Sequence, residues 1–295
     1  MKQLGIIGNI RKTNTVKICA EILDRIKDKH IKVVLDEEIL HSYLEKESAH
    51  NNDIDGNKYQ GDLLESDLII VLGGDGTILN VARRLDGKPI PVLAVNTGNL
   101  GFMSQITDEE LQPILDKLLN DEFTCEKRMM LEVRLIRKGE VIFNSRCLND
   151  AVLSKEAISR MIDLTVSIDG HFTNHYRADG IIVSTPTGST AHCLSAGGPI
   201  VHPHLQAMIM LPICPHTLSN RPIVISATSE IEIIVIKSRS GEGVILTIDG
   251  QEPHVLAGDD SVIIKRAEQD FQLITKEGYD YYSTLRTKLK WGGKL

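Results

Sequence analysis

Apolar positions follow two different rhythms in this chain, with the change near residue 125. Before it, short β-branched runs alternate with stretches of helical spacing. Leu4 to Ile7, Ile31 to Leu35, Leu68 to Leu72 and Pro91 to Asn96 are continuous enough in apolar character to predict strands buried on both faces. Val16, Ala20, Leu23 and Lys27, with Ile22 and Ile26 beside them, predict a helix. So do Leu111, Ile114, Leu115 and Leu118, which follow the acidic start Asp108-Glu109-Glu110. Strand and helix in alternation predict a doubly wound α/β domain on a parallel sheet. The polar stretch Glu45 to Gly61, containing Asn51-Asn52-Asp53 and Asp55-Gly56-Asn57, predicts an exposed and mobile loop.

Beyond residue 125 helical periodicity fades and strands crowd together. They are predicted at Leu131 to Ile136, Val141 to Asn144, Leu164 to Ile168, Ile181 to Ser184, Ile223 to Ser226, Ile231 to Ile236, Val244 to Ile248 and Val262 to Lys265. Lys138-Gly139, Asp169-Gly170, Asp249-Gly250 and Gly258-Asp259 mark turns between them, a pattern that predicts an antiparallel β-sandwich. The expected division is an α/β domain over residues 1–125 and an all-β domain over 126–279. The tail 280–295, with Tyr281, Tyr282, Leu285, Leu289 and Trp291, is expected to pack back on the first domain. Clefts between domains commonly hold ligands.

Composition narrows the classes of function. The chain has 295 residues, 42% of them hydrophobic, enough for two buried cores. Lys plus Arg number 33 against 40 Asp plus Glu, a net charge of −7, and no basic run offers a nucleic-acid footprint. Cys19, Cys125, Cys147, Cys193 and Cys214 form no C-x-x-C pair, which suits reduced thiols and a cytoplasmic location. The opening apolar run is too short for a signal-peptide core, and no segment reaches the roughly 20 apolar residues of a membrane helix. No membrane partner is expected.

The most informative local feature is Leu68-Ile69-Ile70-Val71-Leu72-Gly73-Gly74-Asp75-Gly76-Thr77, a strand running into a glycine-rich turn and a helix start. Glycines permit positive φ and close backbone approach, and helix-start N–H groups attract phosphate. The Lys-Ser/Thr ending of a P-loop is missing. A carboxylate at Asp75, inside a turn suited to anions, needs a role of its own. A general base toward a hydroxyl and a ligand to a phosphate-bridging metal both fit, and both belong to phosphoryl transfer.

With that loop the sequence resembles the NAD kinase family and the wider superfamily of 6-phosphofructokinases and diacylglycerol or sphingosine kinases. Three further stretches resemble NAD kinases in particular: Asn96 to Phe102, Leu148-Asn149-Asp150, and Arg177-Ala178-Asp179-Gly180 through Thr187-Gly188-Ser189-Thr190-Ala191 to Pro199. Ile248-Asp249-Gly250-Gln251 matches the family's late Asp-Gly turn.

The resemblance implies transfer of phosphate from ATP to the 2′-hydroxyl of the adenosine ribose of NAD, with Asp75 accepting the hydroxyl proton. It implies that Gly74 and Gly76 keep the backbone near ligand phosphate and that Thr77 and Phe102 line the same site. Asn149 and Asp150 would recognise the nucleotide, since an amide both donates and accepts and a carboxylate accepts from ribose hydroxyls. Asp179 would face the nicotinamide half. Arg177 is placed among the nucleotide contacts, and with Lys155 would offset phosphate charge. Thr187, Thr190, Ala191, His192, Ser195 and Asp249 complete the implied nucleotide-binding set, with Thr190 expected to cap a helix over Ala191 to Ala196. Mg²⁺ would arrive on ATP rather than be held by protein alone, and a homodimer or homotetramer is implied.

Asp150 stands where many members have Glu, and His192 where many have Tyr, changes that bear on reach and on pH sensitivity. His202, His204 and His216 lack Asp, Glu or Cys at a ligand interval, so no structural metal is expected there. An oxidoreductase would need G-x-G-x-x-G, which Gly5-Ile6-Ile7-Gly8-Asn9 does not supply. A lipid kinase would need an apolar membrane-seeking face, and a non-catalytic NAD sensor would have no need of Asp75.

Overall fold

The computed structural model describes residues 1–12, 14–49, 55–98, 101–156, 161–236 and 243–291. The chain forms two compact units, Met1–Lys127 with Gln272–Leu295, and Arg128–Phe271. The first carries β1 (Gln3–Gly8), α1 (Thr15–Ile26), β2 (Lys32–Leu35), α2 (Glu37–Ala49), β3 (Leu68–Leu72), α3 (Asp75–Leu85), β4 (Val92–Val95), α4 (Asp108–Leu119) and β5 (Thr124–Arg128). The second carries β6 (Leu131–Arg137), β7 (Glu140–Cys147), β8 (Asp150–Lys155), β9 (Ile162–Ile168), β10 (His171–Ala178), β11 (Gly180–Ser184), α5 (His192–Ser195), β12 (Ala207–Ile213), β13 (Ile223–Ser226), β14 (Ile231–Val235), β15 (Val244–Ile248), β16 (Gln251–Leu256) and β17 (Ser261–Arg266). β18 (Phe271–Thr275) and α6 (Tyr281–Leu289) follow.

In the first unit the sheet order is β2-β1-β3-β4-β18-β5, with β1 parallel to both β2 and β3, and β4 parallel to β3 and β18. Successive side chains of a strand point to opposite faces. Leu4, Ile6, Leu68, Ile70, Leu72, Leu93 and Val95 share one core with Ile18, Ile22, Ile39, Leu111 and Leu115 of α1, α2 and α4. The residues between them, Ile7, Ile69, Val71, Val92 and Ala94, are also buried, which is why these strands read as unbroken apolar runs. The strand order reverses direction between β1 and β3, and ligands of such sheets bind outside the carboxyl ends of strands at that point. Asp75 begins α3 directly after β3.

Two expectations change here. The polar stretch Glu45 to Gly61 is partly helical: α2 extends to Ala49, and Gly56–Tyr59 forms a 3₁₀ turn capped by Asp55, with Tyr59 buried. Tyr59 packs edge-on against Tyr43 at 5.9 Å, an anchor that local polarity conceals. Residues 50–54 of that stretch lie outside the described residues. The chain also re-enters the first unit at Gln272 rather than at Asp280. β18 achieves this by pairing Leu273 and Ile274 with Val92 and Leu93, a partnership no local pattern reveals.

The second unit consists of two antiparallel sheets, β10-β9-β14-β17-β6-β7 and β13-β12-β11-β8-β15-β16. Leu131, Val133, Leu164, Val166 and Ile264 of one and Ala151, Leu153, Ile181, Val183, Met208, Met210 and Leu246 of the other form a common core. Alternate residues of the second sheet, Val152, Ile182, Ile209 and Leu211, bury their side chains on its other face under Cys193 and Val201. A cover over that outer face explains why β11 and β12 look fully apolar despite being antiparallel.

Candidate active site

Asp75 is the first residue of α3, where a carboxylate suits the positive end of a helix. Its Oδ1 accepts the Met103 and Ser104 amides, each at 3.1 Å, and the Ser104 hydroxyl at 3.2 Å. Oδ2 accepts one donor among the described residues, the Phe102 amide at 2.8 Å. Because a carboxylate oxygen has two acceptor positions, Oδ2 keeps one for a proton.

The Asn96 to Phe102 motif shapes this arrangement. Asn96 is buried, its Oδ1 accepts Gly98 N at 2.6 Å, and its Nδ2 reaches toward Ser104 O and Oγ at 3.4 Å. A Cβ on Gly101 would collide with Oδ1 of Asp75 and with Oγ of Ser104, so this glycine is what admits the carboxylate. Asn99 and Leu100 of the motif lie outside the described residues.

The loop glycines do not serve to supply positive φ, which none of Gly73, Gly74 and Gly76 has. Gly73 is required by space, since a Cβ there would strike Thr77 Oγ1. At Gly74 and Gly76 an added Cβ meets nothing within 4 Å, so the fold itself makes no demand for glycine at either position. Bare backbone facing open space at a helix start is what an approaching phosphate requires.

In the second unit Asn149, Asp150, Thr187 and Asp249 are brought together. Ser184 Oγ donates to Asn149 O at 3.1 Å, Thr185 N donates to the same oxygen at 2.8 Å, and Thr185 Oγ1 donates to Leu148 O at 2.6 Å. Gly188 sits so close that a Cβ would strike the Asn149 carbonyl. Asp150 is only 4% exposed. Burial, reinforced by the nearby Asp249 charge, pushes its carboxyl up from 3.8 to about 7. The Asp249 carboxylate, 7% exposed, accepts the amides of Leu148 at 3.0 Å, Asn149 at 2.8 Å and Asp150 at 3.1 Å. Thr187 Oγ1 is buried without a hydrogen-bond partner. A buried polar atom left in that state commonly marks a ligand or water position.

Asp179 lies at the other end of the same strand pair. Gly180 pairs with Ser154 while Ser184 pairs with Asp150, and four residue steps along a strand span about 13 Å. Asp179 Oδ1 is 2.8 Å from Lys155 Nζ, so this lysine is engaged with a carboxylate. Arg177 is exposed on β10 and its carbonyl accepts His216 N at 2.9 Å. His192 and Ser195 are exposed on the single-turn α5, and Ala191 is half-buried. Thr190 does not cap that helix. It closes a 3₁₀ turn over Gly188–Thr190 and its Oγ1 donates to Thr187 O at 3.3 Å, while Ala191, at φ −102° and ψ −126°, separates the two turns.

Sequence reasoning missed Gly101, Ser104, Ser184 and Thr185. All four lie within or just beyond the matched motifs, but their roles depend on atoms from distant segments, the Asp75 carboxylate for Gly101 and Ser104 and the Leu148 and Asn149 carbonyls for Ser184 and Thr185.

Comparison with known proteins agrees with both units. Residues 4–123 match the ATP-NAD kinase N-terminal domain and residues 148–276 the ATP-NAD kinase C-terminal domain. The chain is 41% identical over 292 residues to the NAD kinase of Geobacter metallireducens, covering 99% of each, and 46% identical over 227 residues to that of Geobacter sulfurreducens, covering 77% of this chain and 79% of the relative. Among solved structures it is similar to yeast NADH kinase complexed with NADH, with TM-score 0.89, 26% identity and coverage of 100% of this chain and 89% of that one. It is likewise similar to an NAD kinase from Archaeoglobus fulgidus in complex with ATP, with TM-score 0.74, 26% identity and 98% of each chain covered. With both domain models matched in order and a relative aligned along nearly its whole length, the chain belongs to the NAD kinase family.

Proposed function

We propose that the protein transfers the γ-phosphoryl group of ATP to the 2′-hydroxyl of the adenosine ribose of NAD, with Asp75 Oδ2 as the general base. The observation that carries the base assignment is the unequal loading of the two carboxylate oxygens. Oδ1 takes three donors and Oδ2 one, so the side chain is held in one orientation with a single acceptor position left for the hydroxyl proton. Gly74 and Gly76, open on their Cβ side, leave room for phosphate beside it. The test is NADP⁺ formation from NAD⁺ and Mg-ATP by the purified protein, followed with an NADP-specific dehydrogenase. No NADP⁺ from a protein that still binds NAD⁺ would favour the sensor reading instead.

Mg²⁺ would come with ATP and neutralise charge on the triphosphate. No group of three or more His, Cys, Asp or Glu side chains is gathered for a metal among the described residues. Asn149, Asp150 and the Thr187 hydroxyl would contact the adenosine half, with Thr190, Ala191, His192 and Ser195 beside them.

Asp179 would face the nicotinamide. Lys155→Met is then expected to raise the ratio of kcat/KM for NAD⁺ over NADH by about two- to fivefold, since the freed carboxylate attracts only the cationic ring and a half-exposed ion pair is worth about 0.5–1 kcal/mol. An unchanged ratio would separate Asp179 from that ring.

Gly101→Ala is expected to lower kcat at least about tenfold, because moving a reacting group by about 1 Å can cost 10²-fold in rate. Wild-type kcat in this variant would mean that the seating of Asp75 is not needed for catalysis.

No described helix is long and apolar enough to cross a membrane. Five free thiols favour a cytoplasmic location. Val141 and Ile142 on edge strand β7 and Val255 on edge strand β16 are exposed, which favours association of copies into a homodimer or homotetramer.

A further inference from the structure

Asp249 and Gly250 are the two central residues of the β15–β16 hairpin, with Ile248 paired to Gln251 on either side. Both have positive φ, 51° and 68°, as a two-residue turn of type I′ requires. The same turn occurs twice more in this unit. Lys138-Gly139 joins β6 to β7 at φ 53° and 82°, and Asp169-Gly170 joins β9 to β10 at φ 52° and 74°. Lys138 shows that the turn itself makes no demand for a carboxylate at its first position. Asp169 shows what an ordinary turn carboxylate does here, since it is exposed and accepts the Glu230 amide at 2.8 Å.

Asp249 differs from both. It is buried, and its two oxygens gather the amides of three consecutive residues, Leu148, Asn149 and Asp150, about 100 positions away in sequence. Burying an anion is costly unless hydrogen bonds compensate, and here the anion also lies near a second carboxyl, that of Asp150. Two acidic groups buried together weaken a fold, and such local conflicts concentrate at functional positions.

We infer that Asp249 is a positioning residue, whose carboxylate fixes the backbone of Leu148 to Asp150 and thereby sets how the Asn149 and Asp150 side chains are presented to the adenosine half of NAD. The inference rests on the reading of Asn149 and Asp150 as nucleotide contacts. It reassigns Asp249, which the family resemblance placed among the contacts themselves, to the layer behind them. Three consecutive amides held by one carboxylate fix the backbone course of Leu148 to Asp150, and with it the direction in which the Asn149 and Asp150 side chains leave the chain. Without that carboxylate the segment is still tied by Ser184 and Thr185 through its carbonyl oxygens, but its amides lose their common acceptor.

The test uses substitutions that keep the turn. Asn and Gly both tolerate positive φ, so Asp249→Asn retains one acceptor oxygen and Asp249→Gly retains none. The KM for NAD⁺ is expected to rise about tenfold in Asp249→Gly and by a smaller factor in Asp249→Asn. In both, kcat should stay within about threefold of wild type and the KM for ATP should be unchanged, as loss of ground-state and transition-state binding in equal measure dictates. A purely structural role would instead lower kcat through a smaller active fraction and leave KM for NAD⁺ alone, and that result overturns the proposal.

Asn149→Ala serves as the control on the underlying reading. If it raises the KM for NAD⁺ while Asp249→Gly leaves it at the wild-type value, the positioning role is wrong. If Asn149→Ala also leaves it unchanged, the nucleotide-contact reading of this segment falls first.

Discussion

Asp75→Asn is expected to lower kcat for NADP⁺ formation by about 10²- to 10³-fold, with the KM for NAD⁺ little changed. The amide is nearly isosteric with the carboxylate, so the effect is chemical rather than steric. Its oxygen can remain in the place of Oδ1 and keep the Met103 and Ser104 donors. Its NH₂ group then faces the Phe102 amide, a donor set against a donor. The loss of that bond costs about 1 kcal/mol of stability, too little to unfold a two-domain protein. What disappears is the acceptor position on Oδ2. A rate equal to wild type would remove Asp75 from the chemistry; a raised KM with intact kcat would make it a binding residue only. Thermal unfolding of the two proteins, compared side by side, separates either outcome from a folding defect.

Asp150→Asn is expected to stabilise the ligand-free protein by up to about 4 kcal/mol above pH 7, and not at all below about pH 4. The carboxyl is raised from 3.8 to about 7, first by burial and then by the Asp249 charge. For an acid raised on folding, the unfolded chain ionises first as pH increases, so wild-type stability falls between pH 4 and pH 7 and then levels off. At 1.36 kcal/mol per pH unit, the span from 3.8 to about 7 gives the stated maximum. Asparagine has no such loss. Urea unfolding midpoints of the two proteins measured from pH 4 to pH 8 should therefore diverge with increasing pH. Curves that stay parallel would mean the carboxyl titrates in the folded protein as it does in the unfolded chain. Since the variant removes a group proposed to touch the ribose, greater stability should be accompanied by a weaker interaction with NAD⁺, a trade common at functional sites.

Local pattern carried the fold class and the motifs. The β3 run and Gly73-Gly74-Asp75-Gly76-Thr77 could be read from sequence because a buried parallel strand, a glycine turn and a helix start each leave a short-range signature. The helices α1 and α4 were equally legible, the latter by its acidic first turn. Helix α2 was not, since only Ile39 and Tyr43 are fully buried in it, with Leu40 and Leu44 half-buried, and its last turn merges into the polar stretch that follows. Strand β18 escaped because its partner β4 is about 180 residues away, and a lone strand after a β domain has no mark of the sheet it will join.

By itself, then, the sequence determined that an α/β unit precedes a β unit and that the chain carries NAD kinase motifs, because those properties are written in period and in short motifs. Tertiary structure alone decided which backbone donors the acidic residues gather. The Asp75 loop is marked in sequence, but Asp169-Gly170 and Asp249-Gly250 are alike as turn dipeptides, and nothing nearby separates a solvent-exposed turn from a buried clamp on three amides. The difference lies in which backbone N–H groups arrive from elsewhere in the chain, and hydrogen-bond partners separated by up to about 100 residues are set by packing rather than by local sequence.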